Sequence, residues 1–172
     1  MLSFEEEEQR LSGTAPSPAS QRLVLTLGGT STKDSASALA QIKDVLRAVV
    51  AVRARGADWP NTAEWANRLP QWFVEACAPE RTQAEIEEWL KFWRALPPGK
   101  RAAASEARAW TLSGWLHWFA PTGDERQWRW LDSGIEGEHR LWITIEVAGY
   151  PTAYGALRWL LRAAGITNIE ER

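Results

Sequence analysis

The chain has 172 residues, 45% of them hydrophobic and 24% charged, with a formal net charge of −2, which suits one globular domain with a core of its own. That small negative charge excludes a global field drawing the chain to nucleic acid or an anionic membrane, and the single cysteine, Cys77, excludes an internal disulfide and any cysteine-built zinc cluster. No run of ~18 apolar residues is present to span a membrane, and Met1 to Arg10 is acidic where a secretory signal is basic, so the expected location is the cytoplasm, where a lone thiol stays reduced.

Residues 1–20 read as a disordered tail. Glu5 to Glu8 is a like-charge run, and Gly13 to Ser20 is small, polar and Pro-containing. Residues 21–172 read as a single Trp-rich domain. Leu23 to Leu27 is a short apolar run with the character of a buried strand, ended by Gly28-Gly29-Thr30. A helix follows, capped by Asp34 or Ser35. Leu39, Ile42, Leu46 and Val49 form its apolar stripe, and Gly56 supplies its C-terminal stop.

Asn61 with Glu64 makes a capping-box arrangement at the next helix, where Trp65, Leu69, Trp72, Phe73 and Ala76 share a face. Pro70 lies inside this pattern and predicts a kink or two short helices, because it lacks an N–H and clashes with the preceding turn. Thr82 with Glu85 makes a full capping box. Ile86, Trp89, Leu90, Trp93 and Leu96 then recur as a strong amphipathic stripe, stopped by Pro97-Pro98. Lys100 to Arg108 is Ala-rich and reads as a weak helix or an exposed connection. Thr111 caps a short helix containing Leu112, Trp115, Leu116 and Phe119, ended by Pro121.

The clearest strand signal is a hairpin. Leu141, Ile143, Ile145 and Val147 alternate with Trp142, Thr144, Glu146 and Ala148, while upstream Trp128, Trp130 and Asp132 alternate with Arg129, Leu131 and Ser133. Placing Leu131 on the same face as Ile143 requires paired positions that sum to an even number. That favours an odd-length loop, with Gly137 left-handed between Glu136 and Glu138. One face is then aliphatic, and the other carries Trp128, Trp130, Asp132, Trp142, Thr144 and Glu146. After Gly149-Tyr150-Pro151 a last helix buries Tyr154, Leu157, Leu161 and Ala164 and turns Arg158 and Arg162 to solvent. Gly165-Ile166 closes it, and residues 166–169 form a short edge strand. The expected fold is α+β: a small, mostly antiparallel sheet covered by about four or five helices.

The chemistry is sparse. His117 and His139, the only histidines, have no second ligand at helical spacing. Cys77 at the end of an apolar helix face behaves as a small hydrophobe; a Cys77–His117 pair is the one nucleophile arrangement left open. Gly28-Gly29-Thr30-Ser31-Thr32 matches neither a dinucleotide fingerprint nor a P-loop. Arg126-Gln127-Trp128-Arg129-Trp130 interleaves cations and rings, a pattern that serves base stacking, protein contact or packing within the fold. Asp132 and Glu146 on one hairpin face are the nearest thing to an acid–base pair, or are hydrogen-bond acceptors for indole N–H groups.

The segment Trp110-Thr111-Leu112, Trp115-Leu116, Pro121, Arg126, Trp128 and Trp130-Leu131-Asp132 leads to Gly149-Tyr150-Pro151 and the run from Gly155 to Gly165. Over Ala109 to Gly165 this resembles a group of small bacterial proteins of accessory or immunity type. The resemblance implies a protein partner and no catalytic residues. The leading expectation is therefore a non-enzymatic protein-interaction module, of an immunity or defence-associated kind, with no metal or cofactor. Its candidate contact residues are Arg126, Trp128, Arg129, Trp130, Asp132, Trp142 and Glu146. The alternatives are a small-molecule binder or small hydrolase with a Trp-lined pocket near Asp132 and Glu146, and single-stranded nucleic-acid binding through Arg126, Trp128, Arg129 and Trp130.

Overall fold

A computed structural model describes residues 1–14, 22–123 and 126–172. The elements in chain order are α1 (Phe4–Leu11), β1 (Val24–Ser31), α2 (Ser35–Ala54), α3 (Thr62–Arg68), α4 (Gln71–Ala76), α5 (Gln83–Ala95), α6 (Pro98–Ala107) and α7 (Leu112–His117). They continue with β2 (Trp128–Ile135), β3 (Arg140–Val147), α8 (Gly155–Ala163) and β4 (Ile166–Glu171). The fold is α+β. Its sheet has the order β2-β3-β1-β4 with every neighbouring pair antiparallel.

One face of the sheet is the core. Leu25 and Leu27 of β1 and Leu141, Ile143, Ile145 and Val147 of β3 are buried there, beneath Ile42, Val45, Leu46 and Val49 of α2 and Leu157, Leu160 and Leu161 of α8. Asp34 caps α2 through hydrogen bonds from the Ala36 and Ser37 N–H groups at 2.9 and 3.0 Å, and Gly56 just beyond its end has φ +59, the left-handed geometry that glycine takes at no steric cost. Asn61 and Glu64 make the reciprocal capping box of α3. Pro70 divides the following pattern into α3 and α4, and Trp65, Leu69 and Phe73 carry the stripe across the break into the core. The short α7 is capped by Thr111 and buries Leu112, Trp115 and Leu116.

Several expectations are corrected. More helices form than the pattern predicts: eight among the described residues. Pro70 makes two of one, as one of its two expected outcomes has it, Lys100 to Ala107 lies in a helix begun by Pro98 with Arg108 just beyond it, and the N-terminus, expected to be disordered, contributes another. The expected tail is ordered over its first part. Ser3 and Glu6 form a capping box for α1, which buries Glu7 and Leu11; the rest of that expectation, residues 15–20, lies outside the described residues. β1 does not end at Gly28-Gly29 but runs through both. A Cβ on Gly28 would collide with the Arg172 guanidinium, and one on Gly29 with Ile166 Cγ2, so these glycines admit β4 and its last side chain rather than making a turn. Ala76 and Tyr154 are not buried.

The hairpin carries the most consequential correction. From Asp132↔Thr144 to Ile135↔Leu141 the paired positions sum to an even number, as parity predicts, and Gly137 at φ +134 occupies the loop. The register then shifts between Trp130 and Asp132, leaving Leu131 as a bulge, so that Trp130 pairs with Ile145 and Trp128 with Val147. One inserted residue reverses every side chain beyond it. Trp128 and Trp130 therefore join the aliphatic face, both 0% exposed.

Candidate functional site

The seven predicted contact residues do not form one surface. Arg126, Trp128, Arg129, Trp130 and Glu146 are buried, Trp142 is half-buried, and only Asp132 is exposed. β2 is an edge strand, and α1 lies along it. Glu7, 0% exposed, receives both terminal nitrogens of Arg126, Nη1 to Oε1 at 2.9 Å and Nη2 to Oε2 at 2.6 Å, and also accepts the Trp130 N–H at 2.8 Å. A single carboxylate thus neutralises a buried guanidinium and satisfies an edge N–H that has no ladder partner. The Arg126 guanidinium stands 4.8 Å from the Phe119 ring centroid and 4.9 Å from that of Trp128. The Arg129 guanidinium stands 4.3 Å from Phe4. The cation–aromatic interleaving is internal packing, one of the readings its pattern allowed, and Arg126, Trp128, Arg129 and Trp130 are not laid out on the surface.

Glu146 is likewise committed. Its carboxylate accepts the Leu2 N–H at 2.5 Å and Arg22 Nη1 at 2.9 Å. Asp132 Oδ1 instead accepts the N–H of Ser133, its neighbour, at 2.7 Å. No hydrogen bond joins the two carboxylates, and Trp142 lies flat on Gly134, where a Cβ would stand only 2.6 Å from the ring. Glu146 is buried and Asp132 exposed, so the two acids do not face a common Trp-lined pocket among the described residues. Nor do these acids serve the indoles: the Trp128 and Trp130 Nε1 groups have no hydrogen-bond partner among the described residues.

The other nucleophile and metal candidates stay apart. Cys77 Sγ donates to the Phe73 carbonyl at 3.4 Å. Burial, reinforced by the negative charge of Glu80, pushes its thiol up to about 11. Exposed His117 makes no hydrogen bond to it, and exposed His139 Nδ1 contacts the Lys33 carbonyl oxygen at 3.1 Å. Among the described residues no cluster of three or more His, Cys, Asp or Glu is placed to hold a metal.

The surface that the fold leaves open lies elsewhere, on the α5–α6 hairpin. α5 has every local requirement of a stable helix, with Thr82 and Glu85 forming a full capping box, yet none of its residues is buried. Ile86, Leu90 and Phe92 are 37%, 38% and 53% exposed. α6 has no buried residue either. The hairpin is closed by polar ties: Trp93 Nε1 donates to Ser105 Oγ at 2.9 Å, Arg101 Nη2 donates to the Arg94 carbonyl at 2.8 Å, and the Arg101 and Arg108 guanidinium groups lie over Trp93 and Trp89 at 5.0 and 4.3 Å. It is joined to the body chiefly through Glu106, which pairs with Arg158 Nε at 3.1 Å and Arg162 Nη2 at 2.5 Å on α8. Between α6 and the start of α8 runs an open cleft of about 290 Å³, walled by Trp110, Tyr154, Trp159, Arg158 and Glu106. The apolar spacing of α5 was legible in the sequence; that none of its residues is buried was not.

No protein-family model, curated protein or solved structure matches the chain. No helix among the described residues is long and apolar enough to cross a membrane.

Proposed function

We propose that this chain is a non-enzymatic protein-interaction module whose docking surface is the α5–α6 hairpin. The observation that carries the reading is α5 itself, an N-capped amphipathic helix none of whose residues is buried and whose stripe leaves Ile86 and Leu90 exposed. A helix of this length is marginal in water without a packed face, and exposed apolar side chains rimmed by charge mark contact surfaces. The arrangement of the other candidates supports the same reading. Arg126 and Glu146 are each committed to an internal ion pair, and the one thiol is held protonated.

The test is a photo-reactive residue placed at Leu90 or at Phe92, with a control at exposed Asp44 on α2. Specific adducts with another protein molecule, a further copy of the chain included, are expected from the α5 positions and not from the control. They are also expected to be lost on Ile86→Asp. Equal labelling from all three positions would refute the docking reading. The cleft walled by Trp110, Tyr154 and Trp159 favours a second reading, small-molecule binding. It predicts saturable quenching of indole fluorescence by an aromatic carboxylate, abolished by Trp159→Ala and untouched by Ile86→Asp.

A further inference from the structure

We infer that α5 docks against the α5 of a second copy of this chain, the two helices running antiparallel about a two-fold axis beside Leu90. This rests on the docking reading above and names its partner. The charges along α5 are sorted by position. Its first half carries Glu85, Glu87 and Glu88, its second half Lys91 and Arg94. Among the described residues the side chains of Lys91 and Arg94 have no partner, and the Glu87 carboxylate receives one neutral hydrogen bond, from Gln83 at 2.9 Å. The helix is left with acids at one end and bases at the other, beside an uncovered apolar strip.

The geometry selects the complement. Glu87 and Arg94 are separated by about two turns of ~3.6 residues each, so they stand on one flank of the helix, next to the strip of Ile86 and Leu90. When two identical helices meet antiparallel across a two-fold axis, each flank faces the same flank of its copy in reverse order. With the axis beside Leu90, Glu87 of one copy faces Arg94 of the other, and symmetry repeats the pair. Leu90 packs at the axis, and Ile86 reaches toward the far end of the opposing strip. A parallel pairing instead brings the two acidic ends together and the two basic ends together, with no acid level with a base.

The experiment is sedimentation of the full chain over a wide concentration range, with circular dichroism confirming the fold of each variant. The native chain is expected to dimerise. Glu87→Arg and Arg94→Glu each turn both symmetry-related attractions into repulsions and are expected to weaken the dimer ~10-fold or more. The double variant Glu87→Arg/Arg94→Glu restores the native constant to within ~3-fold, because opposite charges face one another again. A chain that stays monomeric, or a dimer indifferent to the single swaps, overturns the self-pairing. Monomeric chain with specific Leu90 adducts to a different protein leaves the docking reading standing; absence of both removes both.

Discussion

Replacing Glu7 by Ala tests most directly whether the Arg- and Trp-rich strand is interior or surface. The carboxylate is 0% exposed, Arg126 is 3% exposed, and the pair is bidentate. Removal of Glu7 leaves a guanidinium enclosed by Phe119 and Trp128 with no anion, and it removes the acceptor of the Trp130 N–H. Breaking a buried pair by deleting one partner costs about 3–5 kcal/mol, because the survivor stays buried and uncompensated. The orphaned N–H lies within that sum rather than beside it, since both penalties relax together when α1 detaches. For a chain of this size each kcal/mol moves the melting midpoint by ~2–4 °C, so a fall of roughly 6–20 °C is expected. The assay is urea unfolding followed by tryptophan fluorescence, read as a shift in midpoint at constant slope. Replacing both partners, Glu7→Leu with Arg126→Met, is expected to recover part of the loss, since apolar groups of similar volume often match a buried pair, while the Trp130 N–H and Arg129, whose Nε lies 3.7 Å from Glu7, still lose that carboxylate. A near-neutral Glu7→Ala would refute the reasoning: Arg126 would then be reaching water, and the strand would again be a candidate surface.

The indoles divide in the same way. Trp115, 0% exposed and hydrogen-bonded through Nε1 to the Ala156 carbonyl at 3.0 Å, should cost about 3–5 kcal/mol on truncation to Ala, whereas Trp89→Ala on the open hairpin should cost less than ~1 kcal/mol when melted at dilution. Cys77 should be alkylated at pH 8 about two orders of magnitude more slowly than an ordinary thiol of pKa ~8.5, because its own is pushed up to about 11. The sign of the linked stability follows: the folded chain holds this proton longer, so the contribution is complete below pH ~8.5 and is lost as pH rises toward about 11; denaturant midpoints of Cys77→Ser should lack that alkaline decline. Gly29→Val should cost about 1–3 kcal/mol by driving a side chain into Ile166, and Gly28→Val less, since there the obstacle is the movable end of Arg172.

Local rules read well from this sequence because their causes are local. Asn61 with Glu64, Thr82 with Glu85, Thr111 and Asp34 all cap the helices their spacing predicts, and the even-sum register of the hairpin tip follows from Leu131, Ile143 and Gly137 up to the bulge. The failures share a different cause, which is that each depends on a distant residue. Gly28 and Gly29 read as a turn until Arg172 and Ile166 are known to lie across them. Glu7 reads as part of a solvated acidic run until Arg126 is known to wait for it. Trp128 and Trp130 read as an outer face because period-two alternation carries no mark for an inserted residue, and Leu131 looks like any other apolar strand position until the register is seen to slip there.

The stripe of α5 exposes the deeper limit. Amphipathic spacing states that a helix face will be covered, since uncovered it forfeits the burial that makes helices in proteins stable. It does not state whether the cover is the same chain or another. α2 and α5 satisfy the same pattern rule, yet α2 is roofed by its own sheet, whereas no residue of α5 is buried. α2 buries Ile42, Val45, Leu46 and Val49 against its own chain. α5 sets acids before bases along a rim whose Lys91 and Arg94 have no partner among the described residues, and the proposed self-pairing rests on that order of charge.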